Sequence, residues 1–249
     1  MTMCPKHQRP MRQLGAELLC SACLAEASAP NVGRMAELAA REQKRVRASL
    51  MDGVGIPAAF QGASFASWVS ETERSAKVLA AMSNYCGDFE SRRSIRSGFI
   101  FTGSPGTGKT HLACAMAADL AARGYRSLYL SLPAFTRQIK TSFGKLGHTD
   151  VLLRSAIDAD LLVLDEIDLH GTTDNDYSIL YDVINGRYER GGRPTVAISN
   201  RNKEHLVADL DARIVSRILG GTDPIAFDWP SQRDKRASRR TSITSGVAK

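Results

Sequence analysis

One stretch narrows the folds open to this chain more than any other: Ser97 to Thr110, S-G-F-I-F-T-G-S-P-G-T-G-K-T. A short apolar run, Phe99-Ile100-Phe101, leads into a turn holding Gly103, Gly106 and Gly108, which ends on Lys109 and Thr110. The following H-L-A-C-A-M-A-A-D-L-A-A-R-G has helical character, with Leu112, Met116 and Leu120 four apart and Gly124 as its stop. Strand, glycine turn and helix N-terminus together make a phosphate cradle. The glycines let successive backbone N–H groups turn toward an anion, and the helix end adds partial positive charge. The spacing G-x-x-x-x-G-K-[ST] then lets Lys109 reach β- and γ-phosphates and lets the Thr110 hydroxyl coordinate Mg²⁺. Gly103, Ser104, Pro105, Gly106, Thr107, Gly108, Lys109, Thr110 and His111 are therefore the candidate contacts to ATP.

A second apolar strand, Leu161-Leu162-Val163-Leu164, ends in Asp165 and Glu166. A carboxylate at the C-terminal end of a strand beside a phosphate loop is placed to hold Mg²⁺ through its water shell, which is the role expected of Asp165. Glu166 is the candidate general base that polarises water. The pair marks a P-loop ATPase with a glutamate directly after the Mg²⁺-associated aspartate. Further strands are expected at 127–130, 195–199 and 225–227, with helices at 71–90, 133–143, 176–190 and 204–219. Strands alternating with helices, and apolar along their whole length, predict an α/β fold with a parallel sheet covered on both faces. Asn200 lies at the tip of the 195–199 strand, where ATPases that this pair resembles carry a residue orienting water and γ-phosphate, and is the candidate for that role; the alternative is a cap for the helix beginning at Glu204.

The first residues follow different logic. The chain has five cysteines, three of them in the pattern C4-P-K-H7-x12-C20-S-A-C23. Two knuckles, each with two intervening residues, present four side chains to one tetrahedral ion, so Cys4, His7, Cys20 and Cys23 are candidate ligands of structural Zn²⁺. The plainer alternative is unliganded thiols on a leader. Cys86 and Cys114, both on expected helices, are most simply core or surface thiols. Residues 1–24 thus form a zinc-ribbon-like module. Residues 25–53 make a charged linker or partner-binding helix, with Met35, Leu38, Val46 and Leu50 as a thin apolar stripe. Residues 54–229 form the ATPase domain, and 230–249 a basic tail. That tail carries Arg233, Lys235, Arg236, Arg239, Arg240 and Lys249 against Asp234 alone, a large share of the net charge of +7. It is either a solvated end or an arm for nucleic acid. No apolar leader opens the chain and no run approaches a membrane span, so a cytoplasmic protein is expected.

The motifs G-S-P-G-T-G-K-T, L-L-V-L-D-E-I, S-N-R-N and D-A-R-I-V-S-R-I, in this order, resemble an AAA+ ATPase of the DnaC group of bacterial helicase loaders. They are also similar to the related IstB transposition ATPases, and the resemblance spans roughly residues 54–229. It implies that G-I-P-A-A-F-Q-G-A-S-F lies against adenine, with Ile56 and Pro57 as contacts. It implies an arginine finger, reaching a neighbouring subunit's γ-phosphate, at Arg217 or, as the alternative, Arg213. Few residues follow Phe227, so the helical lid of wider AAA+ proteins is expected to be lacking. In the same clade the segment Pro133–Gly147 helps line a channel for single-stranded DNA. Arg137, Lys140 and Lys145 are the candidate contacts there, or else face water; Phe135 and Phe143 are expected in the core.

The resemblance further implies a hexameric, DnaB-type replicative helicase as partner, single-stranded DNA, and self-assembly dependent on ATP. The expected activity is ATP hydrolysis acting as a switch during helicase loading. A DNA-targeting ATPase that assists transposition, as IstB does, and a non-enzymatic adaptor stabilised by nucleotide stand as the other readings.

Overall fold

The structure, a computed structural model, describes residues 2–14, 17–25, 54–93, 98–143, 148–168, 173–191, 193–202, 204–206, 210–220 and 224–232. The expected 34–51 helix, Lys145 and the basic residues of the tail lie outside the described residues. The chain divides into two compact units, Met1–Ser49 and Leu50–Lys249.

In the first unit, β1 (Met11–Leu14) and β2 (Glu17–Cys20) form an antiparallel hairpin in which Met11 faces Cys20. An isolated bridge pairs Met3 with Pro10, so the chain around Cys4 and His7 is itself folded back on the hairpin.

The second unit begins with one 3₁₀ turn at Ala58–Phe60 and continues with α1 (Glu73–Gly87) and α2 (Phe89–Arg93). Thr72 caps α1: its hydroxyl accepts from Ser75 N–H while Ser75 Oγ accepts from Thr72 N–H. Then follow β3 (Phe99–Thr102), α3 (Lys109–Ala122), β4 (Ser127–Ser131), α4 (Leu132–Ser142) and α5 (His148–Asp158). The unit continues with β5 (Leu161–Asp165), α6 (Asp174–Glu189), β6 (Thr195–Ile198), α7 (Ala212–Leu219) and β7 (Ile225–Ala226). All five strands from β3 on are parallel, in the order β4-β5-β6-β3-β7.

Alternation along the strands divides the core into two layers. Phe101, Leu161, Val163, Val196 and Ile198 join α1 and α3 on one face; Ile100, Leu162, Leu164 and Ala197 join α4, α6 and α7 on the other. Helix α3 is buried nearly all round, which is why it is alanine-rich: small side chains let its backbone sit against the sheet with no polar stripe to spare. On the second face Arg187 is 1% exposed, and its hydrogen-bond acceptors among the described residues are all neutral. Its guanidinium donates to Ala156 O (2.7 Å), Ala159 O (2.8 Å), Pro194 O (2.5 Å) and Thr195 Oγ1 (2.9 Å). Burial, and then the nearby Arg193 charge, pull it down to about 9.

Two expectations change. The single helix expected at 204–219 is broken: Asp211 is extended (φ −57°, ψ 132°) and its carboxylate caps α7 by accepting from Arg213 N–H at 2.7 Å. Phe135 is in the core as expected, but Phe143 is 55% exposed. The sequence reading also passed over α5, whose apolar residues Val151, Leu152 and Leu153 form too short a run to stand out beside their polar neighbours.

Candidate functional site

The phosphate loop runs from the end of β3 to the start of α3. Gly103 and Gly108 are there for room as well as for their positive φ (130° and 98°). A Cβ on Gly103 would lie 2.3 Å from Phe227 O, and one on Gly108 would lie 2.6 Å from the Trp68 ring. Lys109 is 4% exposed. Its ammonium is satisfied by the loop itself, donating to Gly103 O at 2.6 Å and Ser104 O at 2.8 Å. A buried cation needs such partners, and these two carbonyls hold it at the mouth of the turn where an anion would be received.

The end of β5 lies beside this loop. Thr110 Oγ1 and Tyr129 Oη both donate to Asp165 Oδ2, each at 2.8 Å, while Asp165 Oδ1 accepts from Glu166 N–H at 2.8 Å. A hydroxyl and a carboxylate in this contact, exposed to a cleft, form the oxygen set that suits a hard divalent cation keeping several waters. Burial, then the Asp165 charge, drive the Tyr129 phenol above its ordinary range, so it remains a donor. Glu166 projects outward from a left-handed backbone (φ 59°), a conformation in which a non-glycine residue is strained. Its Oε2 accepts from Ser131 Oγ at 2.8 Å.

A cleft of about 380 Å³ joins these groups, and Asn200 lines it together with Lys109, Thr110, Asp165 and Glu166. Asn200 N–H donates to Asp168 Oδ2 at 3.0 Å, and Ser199 Oγ donates to Asp168 Oδ1. The capping role weighed for Asn200 belongs instead to Asn202, whose Oδ1 accepts from His205 N–H at 3.0 Å. The apolar end of the cleft is formed by Phe60, Trp68 and Val69. Ile56 packs against the core cluster, and neither Ile56 nor Pro57 lines the cleft. Their separation from it follows from the 3₁₀ turn at Ala58–Phe60, which carries Phe60 forward in their place. His111 sits on the same wall, Nε2 3.0 Å from Ser67 Oγ and edge-on to Trp68 with centroids 5.9 Å apart. Sequence reasoning missed Trp68 and Trp229; an aromatic flanking a Gly-rich segment has no spacing rule that would flag it.

The two candidate finger arginines differ. Arg213 is held by Asp211 through Nε (3.0 Å) and Nη2 (2.7 Å), a pairing that raises Arg213 and lowers Asp211. Arg217 has no carboxylate partner among the described residues: its guanidinium lies 5.2 Å from the Tyr181 ring centroid and 5.4 Å from that of Tyr188. Its Nη1 is buried with no hydrogen-bond partner among the described residues. Of the basic residues on α4, Arg137 is exposed, whereas Lys140 forms an ion pair with Asp176 (2.7 Å) at the N-terminus of α6.

In the first unit, one ligand atom from each of Cys4, His7, Cys20 and Cys23 lies within 4.8 Å of all the others. His7 Nδ1 is 3.7, 3.5 and 3.3 Å from the sulfurs of Cys4, Cys20 and Cys23, and Cys4 Sγ is 3.7 Å from Cys23 Sγ. Tetrahedral Zn–S arms of about 2.3 Å imply edges of roughly 3.8 Å, so the donor set fits zinc. Cys23 N–H points at Cys20 Sγ (3.3 Å), the amide-to-sulfur contact that favours a thiolate. Cys86 and Cys114 are by contrast deep thiols that burial pushes up to about 12.

A family model described as IstB-like ATP binding protein matches residues 34–220, a span that includes the loop, Asp165, Glu166, Asn200 and both arginines. The chain belongs to this ATP-binding family. The Cys/His cluster lies outside the matched span. Family relatives include the Replicative helicase loader DnaC of Escherichia coli (strain K12), 30% identical over 235 residues, or 94% of this chain and 92% of the relative. The corresponding DnaC of Buchnera aphidicola subsp. Baizongia pistaciae is 30% identical over 238 residues, 93% of this chain and 92% of the relative. Among solved structures, the DnaC helicase loader superposes with a TM-score of 0.61 at 20% identity, covering 68% of this chain and 99% of that one. DnaI superposes at 0.60 and 23% identity, covering 70% and 95%; AMPPCP-bound DnaA from Aquifex aeolicus at 0.59 and 20%, covering 76% and 56%. The fold is thus the AAA+ P-loop α/β fold expected of the motifs. Among the described residues no helix is long and apolar enough to cross a membrane.

Proposed function

We propose that this chain is an ATP-hydrolysing loader that places a hexameric replicative helicase on single-stranded DNA, working in the cytoplasm. The observation that carries the reading is the 30% identity to the DnaC helicase loader of Escherichia coli across 94% of the chain, over a fold whose phosphate loop, Asp165 and Glu166 open on one cleft. Lys109 would leave the carbonyls of Gly103 and Ser104 for β- and γ-phosphate oxygens. Thr110 and Asp165 would hold Mg²⁺, which supplies neutralisation of phosphate charge. Glu166 would take the proton of the attacking water, after giving up its contact with Ser131. Asn200 would orient that water, and Arg217 of one subunit would complete the cleft of the next, so that hydrolysis depends on assembly. Phe60, Trp68 and Val69, rather than Ile56 and Pro57, would face the base.

Cys4, His7, Cys20 and Cys23 would hold one structural Zn²⁺. The small hairpin of the first unit has little core of its own, so the metal would supply its folding energy. This unit and the 34–51 segment are the proposed grip on the helicase, and Arg137 is the proposed contact to single-stranded DNA on α4.

A second reading has its own support: the matching family model is described by IstB, so a DNA-targeting ATPase that assists a transposase is the competitor. The deciding experiment presents purified hexameric helicase with single-stranded DNA circles, which have no end to thread. The loader reading requires that this protein, with ATP, transfer helicase onto the circles, and that Glu166→Gln bind ATP yet fail to release after transfer. ATP-dependent filaments on duplex DNA with no transfer would sink the loader reading in favour of the IstB-like one. Unimpaired transfer and release by Glu166→Gln would instead favour an adaptor for which hydrolysis is irrelevant.

A further inference from the structure

The outer face of the phosphate loop is clasped by the segment that follows β7. Phe227 N–H donates to Thr102 O at 2.7 Å, and Phe227 O lies where Gly103 has no Cβ. Two residues on, the indole Nε1–H of Trp229 donates to Thr107 O at 2.9 Å in a buried contact, and Gln232 N–H donates to Gly106 O at 2.9 Å. Trp229 is 6% exposed. It packs on Phe227 (4.8 Å) and edge-on to Trp68 (6.4 Å, 88°), whose ring presses on Gly108. Residues from both ends of this unit therefore brace one turn of backbone.

The geometry of the peptide group gives these contacts a consequence. A trans planar peptide points its C=O and N–H in opposite directions, and none of the described bonds is cis. Anchoring Gly106 O to Gln232 sends the Thr107 N–H away from the strap. Anchoring Thr107 O to Trp229 does the same for the Gly108 N–H. These amides belong to the turn that must face a phosphate, and a glycine-rich backbone left to itself would sample both orientations of each peptide. Packing against Phe227 and Trp68 would be served by any aromatic ring; the N–H is what the indole adds. Trp68 is the contrast, since its own Nε1 is buried with no hydrogen-bond partner among the described residues.

We propose that Trp229 is a positioning residue for phosphate recognition: its indole N–H, with the Gln232 amide, fixes the peptides of Gly106 and Thr107 so that the loop favours di- and triphosphates over monophosphates. This rests on the nucleotide-binding reading above and names a device within it. Trp229→Phe keeps an aromatic ring and deletes the donor. In the full chain, calorimetric affinities for ATP and ADP with Mg²⁺ should fall together by roughly threefold to tenfold, the range for one lost neutral hydrogen bond, while that for AMP stays the same. An equal loss for AMP would make Trp229 a packing residue only, and unchanged ATP and ADP affinities would remove the role altogether; either overturns the proposal. A spectroscopic arm works on the unaltered protein. The chain has two tryptophans, so its ¹H–¹⁵N spectrum holds two indole resonances, assigned by the loss of one in Trp229→Phe or, should that variant not fold, of the other in Trp68→Phe. The Trp229 resonance should move with inorganic pyrophosphate and stay in place with adenosine; the reverse pattern, or no movement while pyrophosphate binds, refutes the idea. Failure of the unaltered protein to bind either ATP or pyrophosphate would overturn the nucleotide reading and this proposal with it, whereas normal binding with an indifferent Trp229 overturns the proposal alone.

Discussion

Tyr129→Phe isolates one hydrogen bond of the candidate magnesium site. Tyr129 is 7% exposed and Asp165 6%, and the deleted group is the hydroxyl that donates to Asp165 Oδ2 at 2.8 Å. The ring stays in place, so no large cavity opens and the hydrophobic contribution is preserved. A hydrogen bond to a charged, buried acceptor contributes about 1.5–3 kcal/mol, and little is discounted here because both partners are largely buried at the wall of the cleft. For a unit of this size each kcal/mol displaces the melting temperature by about 2–4 °C, so the variant should melt roughly 3–12 °C lower in the absence of nucleotide. Thr110 Oγ1 shares the same oxygen, so Asp165 does not lose all support, and the lower half of that range is favoured. The loss should also show in metal dependence: the gain in ATP affinity from adding Mg²⁺ should shrink, because Asp165 is no longer held in one rotamer, while metal-free ATP binding changes little. Thermal unfolding and calorimetric titration with and without Mg²⁺ test both parts. Unchanged melting, or equal loss of affinity with and without Mg²⁺, would refute the assignment of Tyr129 as the group that orients Asp165.

Three further outcomes follow from the same contacts. Purified protein should carry about one zinc per chain by elemental analysis, and Cys20→Ser should carry none, since three remaining donors cannot close a structural site; retention of zinc by the variant would dismiss the cluster. Arg217→Ala should lower assembled ATP hydrolysis by roughly a thousandfold at unchanged ATP affinity, whereas Arg213→Ala, whose charge Asp211 already engages, should stay within a few-fold of the parent. The opposite ranking would transfer the finger to Arg213. Burial works against the charged form of Asp176, but Lys140 and the Thr173 N–H and hydroxyl outweigh it and hold the carboxyl below its usual value of 3.8. Its stabilising effect is thus complete above 3.8 and is lost as pH falls below it. Urea midpoints should place Asp176→Asn below the parent at pH 7, with the gap narrowing as the pH is taken below 3.8; a constant gap would rule out this ion pair as its source.

The parallel sheet was legible because its strands are buried on both faces and so read as unbroken apolar runs, Leu161–Leu164 most plainly. The start of α1 was expected at 71, but the capping box of Thr72 and Ser75 sets it at Glu73. The break at Asp211 was not legible, because Asp211 suits a helix interior poorly but not prohibitively, and its value as a cap appears only once Arg213 N–H is seen against its carboxylate. Helix α5 escaped because its apolar residues include the exposed Val151, so the pattern lacks a clean buried face.

For the site, the division follows the kind of chemistry involved. Candidate groups tied by a short local spacing, such as Lys109 and Thr110 or Cys20 and Cys23, could be picked out from the chain alone, because the spacing itself is the constraint. Groups that act by closing on a distant segment carry no such mark. Trp229 meets Thr107 across 122 residues, and Tyr129 meets Asp165 across 36. Neither pairing has a rule in sequence, since any aromatic at either position would satisfy the apolar pattern equally well. Lys140 illustrates the same point in reverse. On α4 it reads as a basic residue beside aromatics, yet the fold sets Asp176 2.7 Å away, and that pair must separate before Lys140 can meet a phosphate. If this face meets single-stranded DNA as proposed, the contribution of Lys140 should be weaker than that of exposed Arg137 by whatever the ion pair is worth. An exposed pair is worth under about 1 kcal/mol and one with a partner as buried as Asp176 more than that. The measurable form of this is the salt dependence of single-stranded DNA binding: Arg137→Ala should flatten it by about one phosphate contact, and Lys140→Ala by less.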